Sequence, residues 1–307
     1  MSHQSIEPIH TLKKQTPDIL TFAINEYKMG RTEETVKGRI SALNRISEKA
    51  NLTNPDEVLF CLATIKWKNH TKNTFLDTYG AYCRFYKIQW QRPKYENEER
   101  LPFIPTEAEL DQLIYASQQK MATLLQTLKE TGIRISEALK LKWIDLDTTN
   151  KTLNITPSKG SNPRILPIST KLITMLEKCN HPNEYIFPRR KHGIRTRFCT
   201  MRKRISQRQQ NQRLMQISFH TFRHWRGTME YHKTKDIMHV KYILGHKAIQ
   251  STMVYINLEQ ATFLTQSADD EWTCKAAKTI DEATKLIEAG FQYVTTIEGT
   301  QLFKKRK

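Results

Sequence analysis

Five polar residues in this chain are of the types that could act together on a phosphodiester. His220 and Arg223 form a His-x-x-Arg pair, His246 follows in Leu-Gly-His, and Tyr255 comes nine residues later. Arg134 lies upstream, in the segment TGIRISEAL. Arginine suits phosphate oxygens because its planar guanidinium donates paired hydrogen bonds and stays charged. Two arginines could hold a phosphodiester while a tyrosine oxygen attacks it, and donors fixed in advance would stabilise the charge that develops.

Such an attack requires proton transfers at both ends of the reaction. A tyrosine hydroxyl has a pKa near ~10, so it needs a base or strong local positive charge at neutral pH. His220 or His246 could take this proton or donate a hydrogen bond to a phosphate oxygen. The departing sugar oxygen needs an acid, and Lys159 in the turn PSKGSNPR is the candidate. Arg164 is a nearby alternative, although arginine is a poor proton donor.

Each of these residues alone is a weak signal. Histidine–arginine pairs occur by chance, a Gly-His helix end is a common structural stop, and a single tyrosine is more often part of a core. Arg134 could pair with Glu137 for purely structural reasons, and Glu137 is expected to be buried and to orient an arginine or histidine. Tyr231 and Tyr242 are rival tyrosines. Only the ordered combination of motifs is specific.

That ordered combination resembles the tyrosine recombinase (phage integrase) family. The family carries an arginine in a TG-x-R-x-x-E-x-x-x-L stretch, a lysine on a β-hairpin, an H-x-x-R pair, an LGH histidine and a nucleophilic tyrosine. The resemblance covers about residues 106–258. The segments WRGTMEYH and Ile256–Asn257 depart from the commoner bacterial pattern. The matching positions in this chain are Arg134 with Glu137, Lys159, His220, Arg223, His246 and Tyr255.

The resemblance implies a site-specific DNA recombinase. Tyr255 would attack the scissile phosphate, form a 3′-phosphotyrosyl link and free a 5′-hydroxyl, and a second 5′-hydroxyl would rejoin the strands. Neither a metal nor a nucleotide cofactor is expected, because the bond energy stays in the ester and the sequence has no P-loop or paired-carboxylate motif. The implied partner is double-stranded DNA with a specific recombination site, bound by a homotetramer on two duplexes. The alternatives are a type IB topoisomerase-like relaxing activity and a catalytically silent DNA-binding protein.

The charge of the chain also indicates a polyanionic partner. Lysine and arginine number 49 against 31 aspartates and glutamates, for a net charge of +18. A generally basic surface is the alternative explanation, but the charge is concentrated. Residues 185–229 contain 12 lysines and arginines and no acidic residue. Such clustering is typical of a nucleic-acid contact surface.

A basic amphipathic helix is predicted over residues 193–209, within this acid-free stretch. Ile194, Phe198, Met201 and Ile205 recur on one face, so the opposite face should lie along DNA. Most protein–DNA contacts position the duplex without reading bases, so the charged residues of this helix are expected to bind phosphates. They are Arg195, Arg197, Arg202, Lys203 and Arg204.

The fold class is predicted to be mainly α with a small antiparallel β-sheet (α+β). Residues 1–90 should form a four-helix core-binding domain that clamps DNA, with Lys72 and Arg84 among its outer basic positions and its aromatic residues in the core. Residues 91–104 are a linker and 105–266 the catalytic domain, with three strands over 143–169 and Lys159 at the tip of their second turn. Residues 267–307 should form a βαββ appendage.

The cysteines and the apolar segments predict the cellular compartment. The five cysteines are scattered without a C-x-x-C pair, so neither a zinc site nor a disulfide framework is expected. Free thiols fit a reducing compartment. No apolar run is long enough for a membrane span, and the N-terminus lacks a signal-peptide pattern. These features predict a cytoplasmic, nucleoid-associated protein.

Overall fold

The computed structural model describes residues 18–98, 100–158, 160–179, 183–188, 191–264, 272–297 and 299–306. Within these ranges, the side chains at 191, 192, 264, 272 and 306 are not described. The chain is mainly helical with two small antiparallel sheets, which confirms the predicted fold class. It divides into two compact units, residues 1–100 and 101–307. Among the described residues, no helix is both long and apolar enough to cross a bilayer.

The N-terminal unit contains the four predicted helices. They are α1 (Ile19–Lys28), α2 (Glu33–Ser47), α3 (Pro55–Thr64) and α4 (Asn69–Tyr86). The carboxylate of Asp18 accepts hydrogen bonds from the amides of Leu20 and Thr21, so α1 begins directly after this residue. Asn54 caps α3 in the same way, and Pro55 occupies its first position, where no amide hydrogen bond is needed.

The aromatic residues of α4 form the core of this unit, as predicted. Phe75, Tyr79 and Tyr82 are buried, and Tyr79 donates a hydrogen bond to the carbonyl of Leu52 at 3.0 Å. These rings are therefore packing elements, and none of them offers a free face for stacking on bases. Residues 78–83 of α4 are all buried, so this part of the helix is covered on every side, and its exposed residues lie mainly in its first half.

The predicted outer position of Lys72 is wrong, whereas that of Arg84 is confirmed. Lys72 is only 8% exposed, and its ammonium lies 3.5 Å from the carbonyl oxygen of Ala63 and 5.0 Å from the ring centre of Tyr95. A lysine stem packs well on apolar surface, and a cation is attracted to an aromatic face. Arg84 is exposed.

The C-terminal unit carries the predicted catalytic segment. Thr106 and Glu109 form a capping box at the start of its first helix. Gly132, with φ of +63°, ends the second helix. The helices of this segment are α5 (Glu107–Tyr115), α6 (Gln119–Thr131), α7 (Ile135–Ala138), α8 (Thr170–Glu177), α9 (Lys191–Arg208), α10 (Phe219–Thr234), α11 (Ile237–Leu244) and α12 (Gln250–Glu259).

A three-stranded antiparallel sheet lies between α7 and α8, as predicted. Its strands β1 (Leu146–Asp147), β2 (Thr152–Ile155) and β3 (Arg164–Pro167) pair in chain order. The first strand is shorter than predicted because Trp143–Asp145 forms a 3₁₀ turn. Residues 156–163 connect β2 to β3, and Lys159 within this connection lies outside the described residues.

Helix α9 has the predicted amphipathic character. Ile194, Phe198 and Ile205 are buried, and Met201 packs against the same core. The helix begins at Lys191, two residues before the predicted start, and ends at Arg208, one residue before the predicted end; a 3₁₀ turn follows from Gln212.

The end of the chain has the predicted strand–helix–strand–strand order. Its elements are β4 (Trp272–Ala277), α13 (Ile280–Glu288), β5 (Gln292–Ile297) and β6 (Thr300–Arg306). The longest strand, β6, lies between the other two. The small buried core of this C-terminal segment is formed by Ala277, Ala283 and Phe303.

Candidate active site

Arg223 connects two helix ends in the centre of the C-terminal unit. Helix α10 begins with a reciprocal cap between Ser218 and Thr221, which places Arg223 in its second turn. The guanidinium is only 1% exposed and donates to the carbonyls of Gly132 at 2.9 Å and Leu244 at 2.7 Å. Burial and the charge of Arg134 lower the pKa of Arg223 to about 10, so it stays protonated at neutral pH. Its position is fixed before any ligand binds.

Arg134 lies just before α7, at the junction that Gly132 creates. Its side chain is 26% exposed, and its Nη1 lies 3.5 Å from a carboxylate oxygen of Glu137. This buried Nη1 makes no hydrogen bond to any described residue. A charged donor in this state is suited to an anionic ligand, because an added oxygen would supply the missing acceptor.

Glu137 and Arg164 form a fully buried ion pair beside these arginines. Arg164 Nη2 donates to Glu137 Oε2 at 2.9 Å, and its Nε donates to the carbonyl of Ile243 at 2.7 Å. Burial would raise the pKa of Glu137, but the hydrogen bonds from Arg164 and the Arg134 amide lower it to about 2. The carboxylate is therefore charged and in contact with arginines, as expected. Arg164 was considered only as an acid, but its contacts are those of a framework residue.

His246 lies directly after Gly245, whose φ of +67° ends α11. Its Nδ1 is 2.9 Å from the hydroxyl of Thr252, and its ring is nearly parallel to that of Tyr255 at a centroid distance of 6.3 Å. Burial and the charges of Arg223 and Arg134 lower the pKa of His246 to about 3. The ring is thus neutral at pH 7.

The connection between β2 and β3 packs against this histidine. The amide of Asn162 donates to the carbonyl of Gly245 at 3.0 Å, and Ser161 pairs with His246 in a short bridge. The described neighbours of Lys159 are therefore at the site. The role of Lys159 itself stays a prediction.

Two histidines one helical turn apart occupy the start of α10. His220 is exposed, and its ring lies perpendicular to that of His224 at 4.5 Å. The ring of His224 lies 6.0 Å from that of Tyr255. Partial desolvation and the charges of Arg223 and Arg134 lower the pKa of His220. His224 was not among the sequence-predicted site residues, although its spacing of four from His220 placed it on the same helix face.

Tyr255 in α12 packs inward onto α10. It is 1% exposed, and a Cβ added to Gly227 would lie 2.5 Å from its Cε1 and 2.6 Å from its Cζ. Burial raises the pKa of Tyr255, while the charges of Arg223 and Arg134 act in the opposite direction. The rival Tyr242 is 56% exposed and donates to the carbonyl of Ile165. Tyr255 is thus the tyrosine among the site histidines.

The five basic residues of α9 that were predicted to contact DNA divide into two groups. Arg202 donates to the carbonyl of Ile217 and lies over the ring of Phe198 at 5.6 Å, so its guanidinium is engaged within the protein. The other four side chains are exposed, and none forms an ion pair with a described residue. These four residues, called the basic face of α9, are Arg195, Arg197, Lys203 and Arg204.

Over the described ranges, no group of three or more histidine, cysteine, aspartate and glutamate side chains is arranged to hold a metal ion. The polar groups of the site are instead arginines and imidazoles around a phenol. Arginines bind anions, a neutral imidazole can accept a proton, and a phenol is a nucleophile once deprotonated. This set of groups is suited to phosphoryl transfer through a tyrosyl ester.

Curated relatives match the chain at low identity. A tyrosine recombinase of Thermosipho africanus is 25% identical over 196 residues, covering 61% of this chain and 68% of the relative. A putative integrase/recombinase of Sinorhizobium fredii is 24% identical, covering 54% of this chain and 56% of its own length. The tyrosine recombinase XerA of Pyrococcus horikoshii is 22% identical, covering 74% and 84%.

Solved structures share the fold. The integrase of transposon Tn1549, in complex with transposon right end DNA, has a TM-score of 0.60 at 16% identity. It covers 80% of this chain and 99% of that chain. A lambda integrase dimer bound to a core site has a TM-score of 0.60 at 16% identity, covering 77% and 93%. The family model for the phage integrase family matches residues 105–262, about half of the chain, and the chain therefore belongs to that family of tyrosine recombinases.

Proposed function

We propose that the protein is a site-specific DNA recombinase that cleaves and rejoins DNA through a 3′-phosphotyrosyl intermediate. The observation that carries the proposal is the convergence of two arginines, Arg134 and Arg223, and of the imidazoles of His224 and His246 on the buried Tyr255. Arg134 and Tyr255 lie 121 positions apart in sequence. Membership of the phage integrase family supports the same chemistry.

The two arginines bind the non-bridging oxygens of the scissile phosphate. Arg223 is held by two backbone carbonyls, so little reorganisation accompanies the reaction. Arg134 contributes a buried nitrogen that makes no hydrogen bond within the described structure. As the Tyr255 oxygen attacks phosphorus, negative charge grows on the oxygens that these guanidinium groups contact, and the transition state is bound more tightly than the substrate.

Proton movements accompany the two steps. The proton of Tyr255 passes to an imidazole, for which His220 and His246 are the sequence-predicted acceptors. The 5′-oxygen that leaves takes a proton from Lys159. In the second step a 5′-hydroxyl attacks the phosphotyrosyl link, and the tyrosine oxygen is released. The number of phosphoester bonds is conserved, so no external energy source is required.

Double-stranded DNA with a specific site is the proposed substrate. The exposed basic face of α9 and Arg84 of the N-terminal unit supply cations for phosphate contacts. We propose a homotetramer on two duplexes as the active assembly. A lambda integrase tetramer bound to a Holliday junction, which has a TM-score of 0.58 at 17% identity and covers 75% of this chain, supports this assembly by its fold.

The test is covalent trapping on nicked half-site duplexes drawn from a random-sequence library. A nick next to the cleavage site releases a short strand, so the phosphotyrosyl link cannot reverse and survives a denaturing gel. We expect an adduct with the native protein and none with Tyr255→Phe, while DNA binding is retained. Tyr242→Phe is the matched control, because this tyrosine is exposed and outside the cluster.

The trapped DNA identifies the site, and full duplexes carrying it distinguish the enzymatic alternatives. Exchange of strands between two duplexes is expected for a recombinase, whereas a topoisomerase would only relax supercoiled DNA. Tight binding without an adduct on any library member would contradict the proposal and favour a silent DNA-binding protein.

A further inference from the structure

The imidazoles around Tyr255 differ in what their nitrogens contact. His246 has its Nδ1 against the hydroxyl of Thr252 at 2.9 Å. His220 is exposed at the start of α10. His224 is partly buried, and its Nδ1 is a buried atom without a hydrogen-bond partner among the described residues. A buried polar atom without a hydrogen-bond partner lowers the stability of the fold, so its presence in a functional region suggests that it has a functional role.

His224 also lies on the side of α10 that faces the nucleophile. Its ring centre is 6.0 Å from that of Tyr255, and the rings are tilted by 50°. Gly227, three residues later, leaves the space that the Cε1 and Cζ atoms of Tyr255 occupy. Residues three apart on a helix are surface neighbours, so the hydroxyl-bearing end of the phenol lies over the same part of α10 as the histidine.

We propose that His224 is a further catalytic residue, whose Nδ1 accepts the proton of the Tyr255 hydroxyl during cleavage. This inference rests on the proposed function. As the bond between the phenol oxygen and phosphorus forms, the hydroxyl proton moves to Nδ1 and the imidazole becomes a cation. The bond from phosphorus to the 5′-oxygen breaks, and that oxygen takes its proton from a separate acid. In the joining step the attacking 5′-hydroxyl gives its proton back to that acid, and the imidazolium returns its proton to the departing phenol oxygen.

The surroundings of His224 keep its imidazole neutral, which is the form that can accept a proton. Burial and the charges of His220 and Arg223 lower the pKa of His224 to about 4, so the ring is neutral at pH 7. The other ionisable groups at this position are Tyr255 and, beyond it, His246 and Arg134. A DNA phosphate bound between the arginines brings negative charge to the site, which favours an imidazolium and raises its pKa. The base thus becomes stronger when substrate is present.

The first experiment measures the rate of adduct formation on the nicked half-site library at saturating DNA. His224→Ala is expected to slow it by about 10²–10⁴-fold, the usual contribution of a general base, while DNA affinity is unchanged. Added imidazole should restore part of the rate by occupying the vacated space. His239→Ala is the matched control, since this imidazole lies on α11 with its Nε2 3.0 Å from a carboxylate oxygen of Glu230, and it should change the rate less than about threefold.

A second variant, His224→Asn, distinguishes proton transfer from packing. His224→Asn keeps a polar atom near the Nδ1 position but cannot take up a proton, so we expect it to fold normally and to react as slowly as His224→Ala. Imidazole should not rescue it, because the asparagine fills part of the space. A rate for His224→Asn within about threefold of the native rate would overturn the proposal in favour of a hydrogen-bonding or packing role.

A sulfur substitution in the substrate separates the base from the acid. A 5′-bridging phosphorothiolate needs little proton donation to its leaving group, so a defect in the acid is relieved by this substrate. The defect of His224→Ala should persist on it, and relief would overturn the assignment as proton acceptor. No adduct from the native protein would overturn the proposed function itself, whereas equal adduct formation by native and His224→Ala proteins would overturn only this inference.

Discussion

Two clusters of positive charge in the C-terminal unit are built in opposite ways. In the site, Arg223 and Arg164 are buried, and carbonyls or a carboxylate accept their hydrogen bonds. On the basic face of α9, the cations are exposed and form no ion pair with a described residue. The first arrangement fixes the direction of each donor, whereas the second leaves each side chain free to follow a ligand.

This difference corresponds to two tasks. Stabilising a transition state requires donors whose positions do not change during the reaction. Binding a duplex requires charge that neutralises phosphates, and the position of each cation matters less. Substitutions in the site should therefore change stability and reaction rate, whereas substitutions on the basic face of α9 should change the affinity for DNA and its salt dependence.

The largest expected effect is the loss of stability when the buried ion pair is broken. Glu137→Gln leaves the Arg164 guanidinium buried without its counter-charge, which should cost about 3–5 kcal/mol of unfolding free energy in the C-terminal unit. Urea unfolding followed by circular dichroism measures it. Glu184→Gln is the control, because its ion pair with Lys142 is largely exposed and should be worth about 1 kcal/mol or less. Equal losses of unfolding free energy for both variants would contradict the distinction between the buried and the exposed ion pair.

Arg223→Lys should have the next largest effect, and on the reaction more than on DNA binding. A lysine cannot donate to two carbonyls and a phosphate with fixed geometry, so adduct formation should fall by about 10²–10³-fold. Arg204→Lys on the basic face of α9 preserves the charge of an exposed residue, and its rate should be unchanged at saturating DNA. An equal fall in the rate of adduct formation for both variants would show that the fixed position of the Arg223 guanidinium is unimportant.

The stability of the native protein and that of Glu137→Gln should depend differently on pH under acidic conditions. The folded pKa of Glu137 is about 2, below its ordinary value of 4.5, so the ion pair stabilises the folded state fully above pH 4.5. This contribution is lost as the pH falls from 4.5 towards 2. Unfolding free energies measured over this window should fall more steeply for the native protein than for the variant, and parallel curves would exclude the assigned ionisation.

The smallest expected effects come from adjacent residues of α9 that belong to different groups. Lys203→Met should reduce the dependence of log affinity on log salt by about 0.9, the amount for one phosphate contact, and leave stability unchanged. Arg202→Met should cost about 1 kcal/mol of stability, since it removes a hydrogen bond to Ile217, and leave the salt dependence unchanged. Fluorescence anisotropy at several salt concentrations measures the salt dependence of DNA binding, and thermal unfolding measures stability. If Arg202→Met changed the salt dependence and Lys203→Met changed stability, Arg202 would be the phosphate contact and Lys203 the structural residue.

Local features of this fold were predictable because they depend on neighbours in sequence. The capping box of Thr106 and Glu109, the amphipathic α9 and the hairpin turn before Arg164 follow from hydrogen bonds and periodicity within a few residues. The position of Tyr255 relative to His246 follows in the same way, since one short helix carries the tyrosine. Motif order alone thus located most of the candidate site.

Other features depended on which distant segments meet. Lys72 was expected on the surface but packs onto Tyr95, and Arg202 was expected to face DNA but bonds to Ile217. Helical periodicity assigns a side chain to a face, but it does not say what covers that face. His224 lies one helical turn after His220 but outside the His-x-x-Arg pair, and only its position next to Tyr255 distinguishes it from a structural histidine.

The sequence by itself determined the chemical types, their order and the helices that carry them, because these depend on local propensity and spacing. The tertiary structure decided which charges are buried and what holds them. Arg223 is fixed by carbonyls 91 and 21 residues away, and Glu137 by a strand arginine 27 residues away. Such contacts form only when α6, α11 and β3 pack together, since burial and long-range hydrogen bonds are properties of the assembled core.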